Sequence, residues 1–291
     1  MKRIRTVAVL PTLFTLGNLL CGFYAISVAS RVQQPKAVAE IPPTEKIAFV
    51  HHVIPRIDPE DPSHNMLLCA VLIFMAMIFD ALDGYVARLA NHTTDFGAQL
   101  DSLADMVTFG IAPAFLMVKM CPIFTIPLPF RQAAWIVAGA YAACAALRLA
   151  RFNVETDEEN DHLHFSGLPS PAAAATIAGF ALLFYTLGNE PNELLYKQEI
   201  NHWLQRGLPL FALVVSMLMV SRIPYPHLVT QLLRGQRSFA HVVGIVFSLI
   251  AVFAIRGYAI PVLAVGYVLI PPAVYFWNRF YARRAESEPM F

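Results

Sequence analysis

The sequence is poor in charge. Of its 291 residues only 14% are Asp, Glu, Lys or Arg, against 57% hydrophobic, where a soluble domain carries about a quarter charged residues. That shortage excludes an ordinary soluble domain and leaves a polytopic membrane protein. The formal net charge is +1 and the basic residues are scattered, so no partner among nucleic acids is expected. Cysteine is also scarce. Cys21, Cys69, Cys121 and Cys144 lie in or beside apolar segments without metal-ligand spacing; packing is their expected role, not disulfides or zinc. No small-residue cleavage site follows Lys2, Arg3, Arg5 and the apolar stretch behind them, so that stretch reads as a retained first helix. Nor is there an internal repeat or a second domain, and 1–291 is expected to form one transmembrane domain.

Long apolar runs are what the chain does have. A membrane span needs about 20 mostly apolar residues, and eight stretches qualify: 7–29, 66–90, 98–120, 132–151, 169–188, 207–222, 239–255 and 258–280. The expected fold is all-α, a polytopic bundle of about eight transmembrane helices. Only Arg256-Gly257 separates the last two stretches, which predicts a tight helical hairpin over 239–280. Residues 31–64 and 189–204 read as polar loops. His51 and His52 sit in the first of these, with His64 nearby; solvated loop histidines are far commoner than a metal site there. The acidic run Glu155–Asp161 reads as a solvated loop. With a cytoplasmic N-terminus, twelve Lys and Arg fall on the cytoplasmic side and nine on the other, a moderate bias that places both termini inside.

The densest cluster of chemistry lies at residues 80–105. Asp80, Asp83, Gly84 and Ala87 fall at i, i+3, i+4 and i+7, one face of a helix. Gly97, Asp101 and Asp105 recur every four residues on a second helix, after a gap long enough for a turn. Antiparallel pairing therefore gathers Asp80, Asp83, Asp101 and Asp105 at the cytoplasmic ends of spans two and three. Four converging carboxylates repel one another and call for hard divalent cations. With no His or Cys in the set, Mg²⁺ or Mn²⁺ is expected and zinc is disfavoured. Glycine at 84 and 97 lets a ligand or another backbone come close. Arg88 suits a phosphate or an aspartate, with snorkelling at the membrane edge as the plain alternative.

The full spacing, D-x-x-D-G-x-x-A-R-x8-G-x-x-x-D-x-x-x-D from Asp80 to Asp105, resembles without departure the signature of the CDP-alcohol phosphotransferase family. Further stretches resemble its phosphatidylserine synthase branch: P-T-L-F-T-L-G-N-L-L-C-G from Pro11, S-L-A-D-M-V-T-F-G-I-A-P-A from Ser102, R-L-A-R-F-N from Arg148, F-S-G-L-P-S-P-A-A-A from Phe165 and V-S-R-I-P-Y-P from Val220. They cover residues 11 to 230. The loop 31–64 and the last two spans match nothing.

The resemblance implies a six-helix core over about 7–222 and transfer of a phosphatidyl group from CDP-diacylglycerol to an alcohol, releasing CMP. It implies two divalent ions on Asp80, Asp83, Asp101 and Asp105, with Asp105 as the general base. Asp83, Gly84, Ala87, Arg88 and Gly97 would meet the CDP-lipid. A zwitterionic acceptor, L-serine, needs a cation for its carboxylate and acceptors for its ammonium. Of Arg148 and Arg151, one turn apart on the same face as the acids, one suits the serine carboxylate, with Arg151 expected to affect the KM for serine, and the other a lipid phosphate, with topology markers as the alternative. Asn153, Ser166 and Ser170 would shape that pocket. Asn18, polar inside an apolar helix, is either a helix–helix hydrogen bond or a ligand contact. The resemblance further implies a homodimer, and the charges a site facing the cytoplasm from the cell membrane. Two rivals remain: a sibling enzyme using glycerol 3-phosphate, inositol phosphate or choline, and a cation transporter with aspartates on an ion path.

Overall fold

The computed structural model describes residues 9–32, 61–89, 95–121, 128–156, 164–189, 197–226 and 256–286. Among the described residues eight α-helices form the bundle: α1 Val9–Arg31, α2 Pro62–Leu89, α3 Asp95–Asp105, α4 Ala112–Met120, α5 Leu128–Thr156, α6 Ser170–Asn189, α7 Lys197–Val220 and α8 Ala259–Glu286. A π-helical stretch, Met106–Ile111, joins α3 to α4. Seven segments among the described residues are long and apolar enough to cross a membrane, α3 and α4 counting as one. The chain is a multi-pass helical membrane protein. Of the eight expected spans, 239–255 lies outside the described residues, as do His51, His52 and most of the loop 31–64.

Local sequence accounts for several helix ends. Asp61 accepts the Ser63 backbone N–H at 2.8 Å, and Pro62 stands at the first helical position of α2, where its missing N–H costs nothing. His64, expected in the loop, instead lies in the first turn of α2 and pairs with Asp61 at 3.0 Å. α6 opens at Ser170 with Pro171 in its first turn, where a missing N–H again costs nothing. The expected loop 189–204 is shorter than the sequence suggested, because α7 begins at Lys197. Its first turns are polar but keep helical spacing, which an apolar-run criterion passes over.

The third span is not the single α-helix expected over 98–120. Pro113 lacks an N–H, and just before it the Ala112 N–H reaches back five residues to the Val107 carbonyl. The backbone widens into a π turn there, a device frequent at functional sites. This span is also the centre of the bundle, with 67% of its apolar window buried against a third or less for α1, α2, α5, α7 and α8. Phe109, Leu116 and Met117 pack there with Ile73 of α2 and Ile177 of α6.

Two three-residue strands add a feature that an all-α expectation omits. β1 (His164–Ser166) and β2 (Pro224–Pro226) pair antiparallel, Phe165 opposite Tyr225. The Gly167 and Leu168 N–H groups donate to the Ile223 and Leu218 carbonyls at 2.9 and 3.0 Å, and the buried Tyr225 hydroxyl donates to the Val268 carbonyl at 2.9 Å. This clasp ties the start of α6 to the end of α7 and to α8. Gly167 has φ +91°, and a Cβ there would stand 2.6 Å from the Met219 carbonyl oxygen and 2.7 Å from that of Ser221. Gly167→Ala meets both a left-handed backbone penalty of about 1–2 kcal/mol and that crowding. It is expected to destabilise the protein by at least about 2 kcal/mol, read as a lowered thermal midpoint in detergent; an unchanged midpoint would show the clasp to be dispensable.

Candidate active site

At one end of the bundle the last turns of α2 and the second half of α3 bring their acids together. Asp80, Asp101 and Asp105 each turn a carboxylate oxygen into one spot, the three atoms lying within 4.8 Å of one another. Such crowding of acids in a mostly buried place is unfavourable without a cation. The donor set is all oxygen, which suits a hard divalent ion, and Asp101 Oδ1 is buried without any hydrogen-bond donor. The residues therefore fit a metal, and Asp80, Asp101 and Asp105 are the ones that would hold it.

Asp83, expected as a fourth member, stands outside this group of three. Its Oδ2 accepts the hydroxyl hydrogen of Thr15, on α1. Its charge is still felt by Asp80 and Asp101, so it borders the cluster. Gly84 follows on the exposed side, and a Cβ there would meet nothing within 4 Å. Gly84 thus leaves room for a ligand. Gly97 is half-buried on α3. Ala87 and Arg88 lie in the last turn of α2, with side chains outside the described residues, as is that of Ser166 in β1.

α1 supplies the support. Asn18 is fully buried and its Nδ2 donates to Asp105 Oδ1 at 2.9 Å. Its backbone carbonyl accepts from the Thr108 hydroxyl in the π turn at 3.1 Å. One turn on, Gly22 lies against Thr108 so closely that a Cβ would stand 2.9 Å from the Thr108 Cα. Only glycine lets α1 come this near. The helix–helix reading of Asn18 is thus realised, and its partner is a site residue. Thr15 and Thr108 were missed in the sequence. The signal was there: Pro11, Thr15, Asn18 and Gly22 make a polar and small stripe at helical spacing along an otherwise apolar helix.

The expected acceptor-side residues come in two pairs. Arg148 Nη1 donates to Ser170 Oγ at 2.6 Å, and the guanidinium lies within electrostatic reach of Asp80, Asp105 and Tyr267. Asn153 Nδ2 donates to Ser102 Oγ at 2.9 Å, binding the end of α5 to α3. Arg151 is half-buried one turn beyond Arg148. Ser102 and Tyr267 were not singled out in the sequence; Tyr267 belongs to the last span, where no motif pointed to it.

A family model described as CDP-alcohol phosphatidyltransferase matches residues 8–218, close to the expected core of 7–222. A CDP-diacylglycerol–serine O-phosphatidyltransferase of Methanocaldococcus jannaschii is 37% identical over 155 residues, 53% of this chain and 62% of that protein. One of the same name from Helicobacter pylori is 34% identical over 165 residues, covering 57% of this chain and 63% of that one. An archaetidylserine synthase of Methanothermobacter thermautotrophicus is 35% identical over 159 residues, 54% and 57% of the two chains. The matched region thus spans a little under two thirds of these relatives.

If the carboxylates hold a divalent ion, losing one should weaken it. Asp101→Asn is expected to lower Mn²⁺ affinity at least about tenfold, measured from the free-ion electron paramagnetic resonance signal during titration. Unchanged affinity would remove Asp101 from the metal site.

Proposed function

The chain belongs to the CDP-alcohol phosphatidyltransferase family, and we propose that it is a CDP-diacylglycerol–serine O-phosphatidyltransferase, acting over 1–291 as a single domain. The observation that carries the reading is the convergence of Asp80, Asp101 and Asp105 beside Arg148, on elements that match serine-using relatives. L-serine and CDP-diacylglycerol are the substrates, phosphatidylserine and CMP the products.

The chemistry asks for three things. The attacked phosphorus carries negative oxygens, and Mg²⁺ or Mn²⁺ held by Asp80, Asp101 and Asp105, with Asp83 at the border of the set, would supply their neutralisation when bound. The serine hydroxyl must lose its proton as its oxygen bonds to phosphorus and the bond from phosphorus to the CMP oxygen breaks. Asp105 takes that proton, and Asn18 engages its Oδ1. The acceptor must also be held. Arg148, within electrostatic reach of Asp105, meets the serine carboxylate as a fork, while Arg151 serves a lipid phosphate. Asp83, Gly84, Ala87, Arg88 and Gly97 line the side taken by the CDP-lipid, where small residues leave space. Asn153, Ser166 and Ser170 complete the acceptor side.

The acids lie in the last two turns of the span Pro62–Val86 and the first ten residues of Phe96–Met120, near one membrane face. An ion path through the bilayer would need them nearer its middle, which disfavours transport. The charge bias puts this face toward the cytoplasm, in the cell membrane, and family resemblance favours a homodimer.

Purified protein with Mg²⁺ or Mn²⁺ is expected to release CMP from CDP-diacylglycerol with L-serine, and not with glycerol 3-phosphate or inositol phosphate. Release only with a phosphorylated acceptor would overturn the acceptor assignment. Asp105→Asn should lower kcat by about 10²–10⁴-fold while CDP-lipid still binds; normal turnover would remove it as the base. Arg148→Ala should raise the KM for L-serine by about 10-fold or more, and Arg151→Ala should raise that of CDP-diacylglycerol instead. The reverse pattern would exchange their roles.

A further inference from the structure

Asn18 carries an unused atom. Its amide nitrogen faces Asp105 because a carboxylate only accepts, and this fixes the orientation of the amide. Its Oδ1 is then buried without a donor. A buried acceptor without a partner is costly, and here it stands beside the proposed base. From amide geometry, Oδ1 lies roughly 3.5–5 Å from the Asp105 oxygen that Nδ2 meets. A hydroxyl delivering its proton to Asp105 would have its neighbouring α-substituents inside that same shell.

We propose that Asn18 Oδ1 receives the α-ammonium group of the acceptor, making Asn18 the residue that selects an amino alcohol. This rests on the serine reading above. The three polar groups of such an acceptor then find three separate partners: hydroxyl on Asp105, ammonium on Asn18, carboxylate on Arg148. These partners come from α3, α1 and α5, so they do not fall on one line. Three non-collinear contacts distinguish the two hands of a chiral centre. Asn18 is neutral, which matters beside the acids: a fourth carboxylate at this place would compete for the metal and repel Asp105, whereas an amide oxygen accepts from an ammonium without adding charge. Thr108 and Gly22 hold α1 at the depth that brings the amide to Asp105.

The experiment compares L-serine with 3-hydroxypropionate, which keeps the hydroxyl and carboxylate and lacks the ammonium, and with D-serine. Losing the Asp105 contact affects every acceptor, so the readout is the ratio of the 3-hydroxypropionate inhibition constant to the L-serine KM, at saturating CDP-diacylglycerol. Asn18→Leu is expected to shrink that ratio by about 10- to 100-fold and to erode preference for L- over D-serine, with the KM of CDP-diacylglycerol within about twofold. Asn18→Ser, smaller and still polar, should shrink the ratio in the same direction and serves if the leucine variant does not fold. An unchanged ratio with lowered kcat would overturn the proposal and leave Asn18 as a positioning residue for Asp105. A raised KM for CDP-diacylglycerol, or weakened Mn²⁺ binding by electron paramagnetic resonance, would overturn it in favour of a nucleotide or metal contact. Absence of serine-dependent CMP release from the unaltered protein would instead sink the serine reading itself.

Discussion

Mutual repulsion among carboxylates at the end of the bundle is the constraint on which the rest depends. Asp80, Asp101 and Asp105 bring oxygens within 4.8 Å, with Asp105 only 8% exposed. Charges so close and so dry do not stay together by themselves. What holds them is a frame of neutral donors and one cation. Thr15 engages Asp83 and Asn18 engages Asp105, both from α1, and Arg148 contributes a positive charge from α5. The frame leaves acceptors over, on Asp101 and on Asn18 itself. An arrangement with more acceptors than donors is poised for positive charge to enter.

Frame and backbone depend on each other through the π turn. Its extra residue rotates the helix beyond it by about 100° relative to a continuous α-helix. Asp101 and Asp105 can thus face the site from α3 while Phe109, Leu116 and Met117 face the core. The turn begins directly after Asp105 and ends where Pro113 withholds a donor. Thr108, inside it, hydrogen-bonds α1 at the residue that holds Asp105. Base, π turn and first helix are therefore one unit, and the close approach at Gly22 keeps it together.

Much of this was legible in the sequence, for reasons that also mark where legibility stopped. Apolar runs locate spans because a membrane demands about 20 of them, and every expected span within the described residues is a helix. The acid motif was legible because helical spacing fixes which side chains share a face. The π turn was not: it follows from hydrogen bonds around Pro113, and a proline alone also fits a kink or a plain helix start. The departure of Asp83 from the three converging acids depends on a hydroxyl 68 positions away, invisible to any local pattern. Tyr267 near Arg148 depends on how α8 packs on the clasp. Spacing within one helix reveals what shares a face, and it is silent on what that face meets.

The two sides of the site differ in how firmly they are built, and the difference suits the proposed reaction. On the α2 side, Gly84 opens onto space, as a bulky nucleotide entering from the membrane requires. On the α5–α6 side, Arg148 is pinned by Ser170, and Ser170 follows the turn at Gly167–Leu168 that the β1–β2 clasp fixes to the end of α7. Small polar acceptors differ by single groups, and discriminating them takes partners held to within about half an ångström. A donor recognised by its phosphates and a long apolar body needs less. Rigidity is therefore concentrated where selection between similar molecules must occur, and openness is left where a large substrate has to enter and a nucleotide product has to leave.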